Sequence, residues 1–357
     1  MSKRIIALLL ALVMVFALCA CGNGGNGGNG GNSAGTEDVG DETYTIRIAC
    51  ENSDSYPATL GLYQMEKYVE SHTNGKVQVE VCASGQLGGE EETLEQVAQG
   101  NLEMAVASFA PVVSYVPEFE VMDIPFVYNS YTEAWMVLDS YVGTNLLDKM
   151  EAQGLKGMAY MENGMRQVTS NVSAINSIAD FKGVKLRTMQ NNNHMASFSA
   201  LGANPTPVAF SELYISLSQK VVDAQENPIA NVTDKKLYEV QKYLSLTNHI
   251  YDAMPLVCNL EFFNSLPQAY QKVVQAGAIY AQEFSRFCNL EREDLILADL
   301  ADKYGMQINE VSADARAEMA KVAQPAVIKL VAKDIGQDAV DQYMNDVKDV
   351  LAQISKF

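Results

Sequence analysis

The sequence predicts an α/β protein of two lobes with a long helix spanning both. From Tyr44 onwards, short apolar strands alternate with amphipathic helices, which is typical of βαβ units with helices on both faces of a sheet. A second series of the same kind runs from Leu155 to about Leu246. Residues 267–304 then keep helical periodicity, with Gly277 as the only internal glycine or proline. At 1.5 Å per residue this helix is about 57 Å long, more than the width of a lobe of ~150 residues.

The elements follow from the spacing of apolar residues. Alternation with a period of two predicts strands, and apolar positions three and four apart predict helices. In the first series we expect strands at 44–50, 76–83 and 103–109, helices at 57–73, 88–100 and 131–153, and a proline-bounded loop at 117–128. In the second we expect strands at 155–161 and 183–190, helices at 193–202 and 211–221 around the segment 204–210, and final helices broken near Pro325 and Gly336.

The N-terminus has the pattern of a secretory signal. Lys3 and Arg4 precede an apolar run from Ile5 to Leu18, which is too short for a lasting membrane span. The following "LCAC" resembles the bacterial lipobox, in which the signal is cut before a cysteine whose sulfur is acylated. Cys21 fits that position better than Cys19, because Leu18 is too bulky for the residue before the cut. The alternative is an ordinary secreted protein cut further along the chain.

These features predict a division of the chain into four parts. Residues 1–20 form a lipoprotein signal peptide, and residues 21–43 form a Gly/Asn-rich flexible tether with a reach of about 25 Å. Residues 44–163 plus 253–290 form lobe I, and residues 164–252 plus 291–357 form lobe II. The body is therefore expected outside the cytoplasm, held at the membrane through lipidated Cys21.

Composition and missing motifs exclude several functions. The formal net charge of −19 argues against nucleic acid as a partner, since phosphate backbones select basic surfaces, and otherwise describes a well-solvated surface. There is no G-x-S-x-G, H-E-x-x-H, Walker or G-x-G-x-x-G motif in the required context. The three histidines lie far apart, without metal-ligand spacing. We therefore expect no enzyme, no cofactor and no metal.

Four further cysteines, Cys50, Cys82, Cys258 and Cys288, have apolar neighbours. Buried reduced thiols, acting as small hydrophobic groups, are the simplest interpretation. A Cys50–Cys82 disulfide remains an alternative outside the cell, because spacing alone does not fix connectivity.

Arg187 is the most informative residue of the chain. It lies in the apolar strand "GVKLRTMQ". Burying a guanidinium costs several kcal/mol unless an anion replaces its water. The anion is either a protein carboxylate, with Glu162 and Glu226 as candidates, or a ligand.

Several long blocks resemble one family. "GQLGGEEETLEQV", "VPEFEVMDIPFVY", "LKGMAYMENGMRQVTSN", "ADFKGVKLRTMQ", "AQENPIANV" and "KLYEVQKYLSLTNHIY" occur in the order found in the solute-binding subunits of TRAP transporters, the DctP-like family. The resemblance extends from about residue 45 to the C-terminal helices. It implies an organic acid held between two lobes, and it identifies Arg187 as the group that binds the ligand carboxylate.

The same resemblance implies further site residues. Arg166 would lie near that carboxylate or reach it through water, Asn227 would hydrogen-bond the ligand, and Phe210 would provide an apolar wall. The other lobe would contribute Glu90 and Ser108, where Ser108 occupies a position at which some members carry an acidic contact. Residues at the end of the first strand are weaker candidates, namely Glu51, Asn52 and Tyr56.

The expected function is therefore capture of a small organic acid and its delivery to TRAP membrane permease subunits. The blocks "ENGMRQV" and "QENPIANV" look most like members that bind sugar acids such as uronates or aldonates, with C4-dicarboxylates second. The alternative function is sensory, with the same kind of acid presented to a membrane receptor kinase.

Overall fold

The computed structural model describes residues 42–353, so the predicted signal peptide, nearly all of the tether and Cys21 lie outside the described residues. The strands of this part of the chain alternate with helices, as the apolar spacing predicts. They are β1 (Tyr44–Ala49), β2 (Val77–Cys82), β3 (Met104–Val106), β4 (Leu155–Ser170), β5 (Lys185–Thr188), β6 (Asn204–Pro207), β7 (Ala224–Pro228), β8 (Tyr243–Leu246), β9 (Tyr251–Asn259) and β10 (Gln307–Glu310).

The described strands form one continuous sheet with two parallel ends and an antiparallel centre. Its order is β2-β1-β3-β9-β4-β7-β5-β6, and β8 pairs with both β4 and β10. Pairing is parallel in β2-β1-β3 and in β7-β5-β6, as βαβ units require. The centre pairs β9 antiparallel to β3 and to β4, and β4 antiparallel to β7. Two long strands thus connect the halves, and β4 extends nine residues beyond the predicted end at 161.

The pairing of β4 with β9 shifts register between Glu162 and Gly164. Gly164 has φ +126°, and a Cβ there would lie 3.2 Å from Pro228, so only glycine fits without strain. Beside it, Glu162 is fully buried and accepts hydrogen bonds from Trp135 Nε1 (2.7 Å) and Tyr251 Oη (3.0 Å). Burial raises the pKa of Glu162 to about 7. This β-bulge lies where the chain passes from one half to the other.

The helices cover both faces of the sheet. They are α1 (Pro57–His72), α2 (Glu90–Ala98), α3 (Phe109–Val112), α4 (Tyr131–Leu138), α5 (Tyr141–Lys149), α6 (Asn192–Ala200), α7 (Leu213–Ser218), α8 (Ile229–Asp234), α9 (Leu260–Ser265), α10 (Gln268–Asp302), α11 (Ala313–Ile335) and α12 (Gln337–Leu351).

The predicted long helix is α10, with 35 residues and a length of about 52 Å. It packs along α1 and also contacts β4 and α8, so it spans elements of both lobes. Glycines permit the close approach of α1 and α10: a Cβ at Gly61 would lie 2.5 Å from Ala281 O, and one at Gly277 would lie 2.8 Å from Val69 Cγ2. A larger residue at either position would force the helices apart.

Three predicted helices differ from the structure. The segment 131–153 is divided into α4 and α5, because Ser140 caps a new helix by accepting from Val142 N. The segment 211–221 begins in a 3-10 turn (Phe210–Glu212) and continues in the six-residue α7, so it is shorter than predicted. The break predicted at Pro325 is wrong, whereas the break at Gly336 is present. Helix α11 passes through Pro325 without a break. Burial of the apolar face of this helix offsets the backbone hydrogen bond that proline cannot donate. The buried residues of that face, spaced four apart, are Met319, Ala323, Val327 and Val331.

Four clusters of buried apolar residues form the core, two in each half of the sheet. One belongs to the side of β1 and includes Val340, Tyr343, Val347 and Val350 of α12. The sequence-based division put residues 291–357 entirely in lobe II, and for α12 this is corrected: its apolar face packs against the first-lobe core around α4 and α5. The chain therefore ends by returning to the first lobe.

Cys50, Cys82, Cys258 and Cys288 are all free and buried, so the alternative Cys50–Cys82 disulfide is not formed. Burial raises the pKa of the Cys50 thiol to about 11, which makes it a poor nucleophile. Among residues 42–353, none of the helices combines the length and the apolar character that a bilayer span needs, and no group of three or more His, Cys, Asp or Glu side chains is arranged to hold a metal ion.

Candidate functional site

A cavity of about 220 Å³ lies between the two halves of the sheet. It opens at the carboxyl ends of β1, β3, β5 and β7, where parallel α/β sheets bind their ligands. Its volume is below the roughly 300–1,000 Å³ of sites for drug-sized ligands, which suits a small metabolite. The first lobe contributes Glu51, Asn52, Glu90, Ser108 and Met254; the second contributes Arg187, Met189, Gln190, Phe210, Asn227 and Asn231; Asn163 comes from β4.

Arg187 lies in the cavity wall and is only 1% exposed. Its Nε donates to Val208 O at 2.8 Å, whereas Nη1 is buried without a hydrogen-bond partner. Among residues 42–353, no carboxylate forms an ion pair with Arg187; Glu162 and Glu226, the candidate partners, bind other groups. Burial lowers the pKa of Arg187 to about 10, so the guanidinium remains charged at neutral pH. The described part of the chain thus supplies the cation without its anion.

Arg166 is different, and its predicted role near the ligand carboxylate is not supported. Its guanidinium is fully buried and forms ion pairs with Glu226 and, at 2.7 Å, with Asp252 Oδ2. It does not line the cavity. The paired carboxylates raise the pKa of Arg166 against the opposing effect of burial. The charge of Arg166 is thus satisfied inside the protein, and only its contact with Asn227 Oδ1 (3.2 Å) leads towards the cavity.

Asn227 has an oriented amide. Its Oδ1 accepts from Arg166 Nη2 and from Asn231 Nδ2 (3.3 Å), and its Nδ2 donates to Gln225 Oε1 at 2.6 Å. These contacts fix which end of the amide is nitrogen. An Asn amide nitrogen carries two hydrogens, so Asn227 retains one donor for a ligand in the cavity.

On the first-lobe side, Glu51 and Glu90 both line the cavity. Glu51 Oε2 accepts from Glu90 N at 3.3 Å, and its Oε1 is buried without a partner. Glu90 Oε1 accepts from Ser108 N at 3.1 Å and from Ser108 Oγ at 2.9 Å. Burial, and then the charge of Glu51, raise the pKa of Glu90 to about 8. Burial also raises the pKa of Glu51.

Phe210 lines the cavity as predicted, and Lys235 Nζ lies 4.5 Å from the centre of its ring. Tyr56, by contrast, does not line the cavity. It is buried behind the wall, and its hydroxyl donates to the side chain of Asn163. Its prediction as a ligand contact is therefore not supported by its position, because β4 lies between it and the cavity.

Sequence analysis named Asn52 but missed Asn231 and Asn163, with which it forms a chain of amides in the cavity wall. Asn52 Nδ2 donates to Asn231 Oδ1 (3.0 Å), Asn231 Nδ2 donates to Asn163 Oδ1 (3.1 Å), and Asn163 Nδ2 donates to Asp252 Oδ2 (2.7 Å). Asn231 lies four residues after Asn227, across the junction of β7 and α8, in the quoted block "AQENPIANV". Asn163 lies in the quoted "ENG" motif.

A two-lobed α/β fold whose intervening cavity holds an unpaired cation defines a solute-binding protein for organic anions. The chain belongs to the DctP family, described as bacterial extracellular solute-binding protein, family 7, whose model matches residues 48–334.

Among solved structures, the chain is similar to the sugar acid binding protein DctPAm of Advenella mimigardefordensis in complex with galactonate. The TM-score is 0.82 and the identity 32%, over 87% of this chain and 99% of that one. It is also similar to a TRAP periplasmic solute binding protein of Sulfurospirillum deleyianum with bound succinate, with TM-score 0.79 and identity 31%, over 85% of this chain and 98% of that one. The 2,3-diketo-L-gulonate-binding periplasmic protein YiaO of Escherichia coli is 31% identical over 71% of this chain and 77% of its own length.

Proposed function

We propose that the protein captures a small hydroxylated carboxylic acid outside the cytoplasm and delivers it, chemically unchanged, to the membrane permease of a TRAP transporter. The observation that carries this proposal is the buried guanidinium of Arg187, which lines the cavity and has no anion among residues 42–353. A carboxylate fits the planar guanidinium with two parallel charge-assisted hydrogen bonds. Family membership supports the transport role.

The first-lobe wall favours a sugar acid over a C4-dicarboxylate. Arg187 is the arginine that lines the cavity, and the first lobe faces the cavity with carboxyl groups of Glu51 and Glu90. A second carboxylate on the ligand would be desolvated close to these groups without a cation, which is unfavourable. Hydroxyl groups, however, both donate and accept, so they suit a wall of carboxyl and amide groups. We therefore rank aldonates and uronates first.

Lobe closure is the proposed mechanism of capture. Residues of both halves line the cavity, so a closed form contacts the ligand from two sides and an open form from one. A ligand with this differential affinity shifts the population towards the closed form. The bulge at Glu162 and Gly164 lies in one of the two strands that connect the halves, which makes it a candidate hinge.

A panel of acids tests the cargo. We expect galactonate, D-erythronate or β-D-glucuronate to raise the melting temperature by several degrees at saturation, because ligand at 100 times Kd adds about 2.7 kcal/mol. Solution scattering on the same samples should give a smaller radius of gyration with ligand than without. Succinate serves as the comparison; a larger shift with succinate than with every hydroxylated acid would contradict the ranking, and no shift with any acid would contradict the function.

Anchoring through Cys21 is a separate proposal. It is supported by "LCAC" and by the Gly/Asn-rich segment that follows. Replacing Cys21 with Ser should abolish incorporation of a radiolabelled fatty acid, because the thioether cannot form without sulfur. Cys19→Ser is the matched control and should keep most of the label. Equal labelling of Cys21→Ser and wild type would refute the assignment.

A further inference from the structure

The buried carboxylate of Asp123 links the two lobes outside the ligand cavity. Asp123 ends a 3-10 turn, Pro117–Asp123, whose apolar residues belong to the first-lobe core. It is only 1% exposed, and it does not line the cavity. Three hydrogen bonds reach it from the N-terminus of α6, which packs in the second-lobe core. They come from Asn191 Nδ2 (2.8 Å), Asn193 Nδ2 (3.2 Å) and His194 Nε2 (3.2 Å).

His194 makes this link an ion pair. It is 1% exposed and lies between two carboxylates, with Nε2 at 3.2 Å from Asp123 Oδ1 and Nδ1 at 3.8 Å from Glu226 Oε1. Burial opposes protonation of the ring, but the two carboxylates raise the pKa of His194 to about 9. His194 is therefore charged at neutral pH and donates from Nε2 to Asp123. A charge-assisted hydrogen bond of this kind is stronger than a neutral one.

A crevice of about 430 Å³ borders the link. It lies between first-lobe residues 110–120 and residues 190–193 of the second lobe, beside the C-terminal part of α11. Two of the donors to Asp123, Asn191 and Asn193, line this crevice. The link thus lies where a gap, and not a packed interface, separates much of the two surfaces.

The link also holds a part of the cavity wall. Two cavity residues, Met189 and Gln190, lie between Arg187 and Asn191 in the sequence. Arg187 belongs to β5, and Asn191 is the N-cap of α6, whose side chain accepts from the first backbone N–H groups of the helix. Because Asn191 also donates to Asp123, the short segment that follows Arg187 is fixed to the first lobe. Separation of the lobes has to break this contact or carry the segment with it.

We propose that Asp123 is a positioning residue for ligand capture: by binding the N-terminus of α6 across the lobes, it stabilises the closed arrangement without touching the ligand. This inference rests on the proposed function. A contact that is lost when the lobes separate favours the closed form, and a larger population of the binding-competent form raises the apparent affinity. Asp123 therefore adds to affinity from outside the cavity, whereas Arg187 adds to it by direct contact.

Asp123→Asn tests the inference by isothermal titration calorimetry with D-galactonate. Asparagine has a similar shape, but it has one oxygen acceptor and presents an NH₂ group to the donors of α6, so we expect the affinity to fall about tenfold. Asn193→Ala removes a single donor and should weaken binding about threefold. The matched control is Asp180→Asn. Asp180 also accepts three hydrogen bonds, but they come from Asn176 and Ser177 of its own lobe, so this variant should keep the wild-type affinity.

Solution scattering without ligand gives a measurement that a purely structural role would not change. Loss of the link should raise the radius of gyration of folded, ligand-free Asp123→Asn above that of wild type and of Asp180→Asn, because more molecules have separated lobes. At saturating galactonate the three proteins should have the same radius of gyration, because ligand contacts from both lobes then hold the closed form.

Wild-type affinity in Asp123→Asn would overturn the inference. So would a tenfold loss of affinity with an unchanged ligand-free radius of gyration, because the loss would then come from a distorted cavity wall. If wild type itself does not bind galactonate, the proposed cargo fails and ligand-free scattering alone decides: a larger radius for Asp123→Asn supports the link, and an equal one refutes it. If Asp123→Asn does not fold, Asn193→Ala takes its place in both measurements.

Discussion

Replacing Arg187 with Ala is expected to weaken ligand binding by roughly 30-fold to several thousand-fold while leaving the ligand-free protein at least as stable as wild type. Truncating one member of a buried charge pair costs about 2–5 kcal/mol, and 1.4 kcal/mol corresponds to a factor of ten in affinity. The pair exists only when ligand is bound, since Arg187 Nη1 has no partner within residues 42–353. Removing an unpaired buried cation relieves its desolvation cost, which offsets the lost hydrogen bond from Nε to Val208 O. Calorimetry measures the affinity, and thermal unfolding measures the stability.

Arg187→Lys separates charge from geometry. Lysine keeps the positive charge but replaces the planar fork with a compact, strongly hydrated ammonium, so affinity should fall between those of wild type and Arg187→Ala. The control is Arg47→Ala, which removes a half-exposed arginine of β1 that forms a salt bridge with Glu103. This variant should bind ligand with wild-type affinity. Near-native affinity in Arg187→Ala, together with earlier unfolding without ligand, would identify Arg187 as a structural residue and disprove the site.

Arg166→Ala should have the opposite profile, with a large loss of folding stability. Arg166 is fully buried and forms ion pairs with two buried carboxylates, Glu226 and Asp252. Removing one partner of a buried ion pair typically costs about 3–5 kcal/mol, because the remaining charge is left without compensation. Denaturant unfolding without ligand measures this loss. After the substitution, the Glu226 carboxylate still has His249 Nε2 as a hydrogen-bond partner at 3.0 Å. We therefore expect the uncompensated charge to be mainly that of Asp252.

Arg47→Ala again serves as the control, because its salt bridge is partly exposed and such pairs contribute about 0–1 kcal/mol. A stability of Arg166→Ala within 1 kcal/mol of wild type would contradict the structural role. Loss of ligand affinity without loss of stability would instead restore the role that sequence analysis gave to Arg166.

The contrast between the two arginines indicates how far sequence reasoning reaches. Arg187 stands out because a guanidinium in a buried strand requires an anion from elsewhere. Arg166 is also buried in a strand, but its partners lie 60 and 86 residues further along the chain, on β7 and β9. Only the antiparallel pairing of β4 with those strands brings them together, and the alternation of strands and helices does not predict that pairing.

The same limit applies to the cavity wall. Glu90 and Ser108 came from the family resemblance, whereas Glu51 was predictable because it lies at the end of a predicted strand. Tyr56 satisfies that criterion as well, yet its ring points behind the wall to Asn163. Position along a strand determines which edge of the sheet a residue reaches, but packing determines the face. The break predicted at Pro325 failed for a related reason, since burial of one helix face outweighed a single missing hydrogen bond.

The contact between Trp135 and Glu162 has a practical consequence. Trp135 is the only tryptophan of the chain, and its indole N–H donates to the carboxylate beside the β4 bulge while Arg286 lies 5.3 Å from its ring. Indole emission responds to hydrogen bonding and to nearby charge. Because no second tryptophan contributes, tryptophan emission, excited at a wavelength that the 17 tyrosines do not absorb, is a single-site optical signal from the junction between the lobes. Movement at that junction can be followed in real time on unlabelled protein.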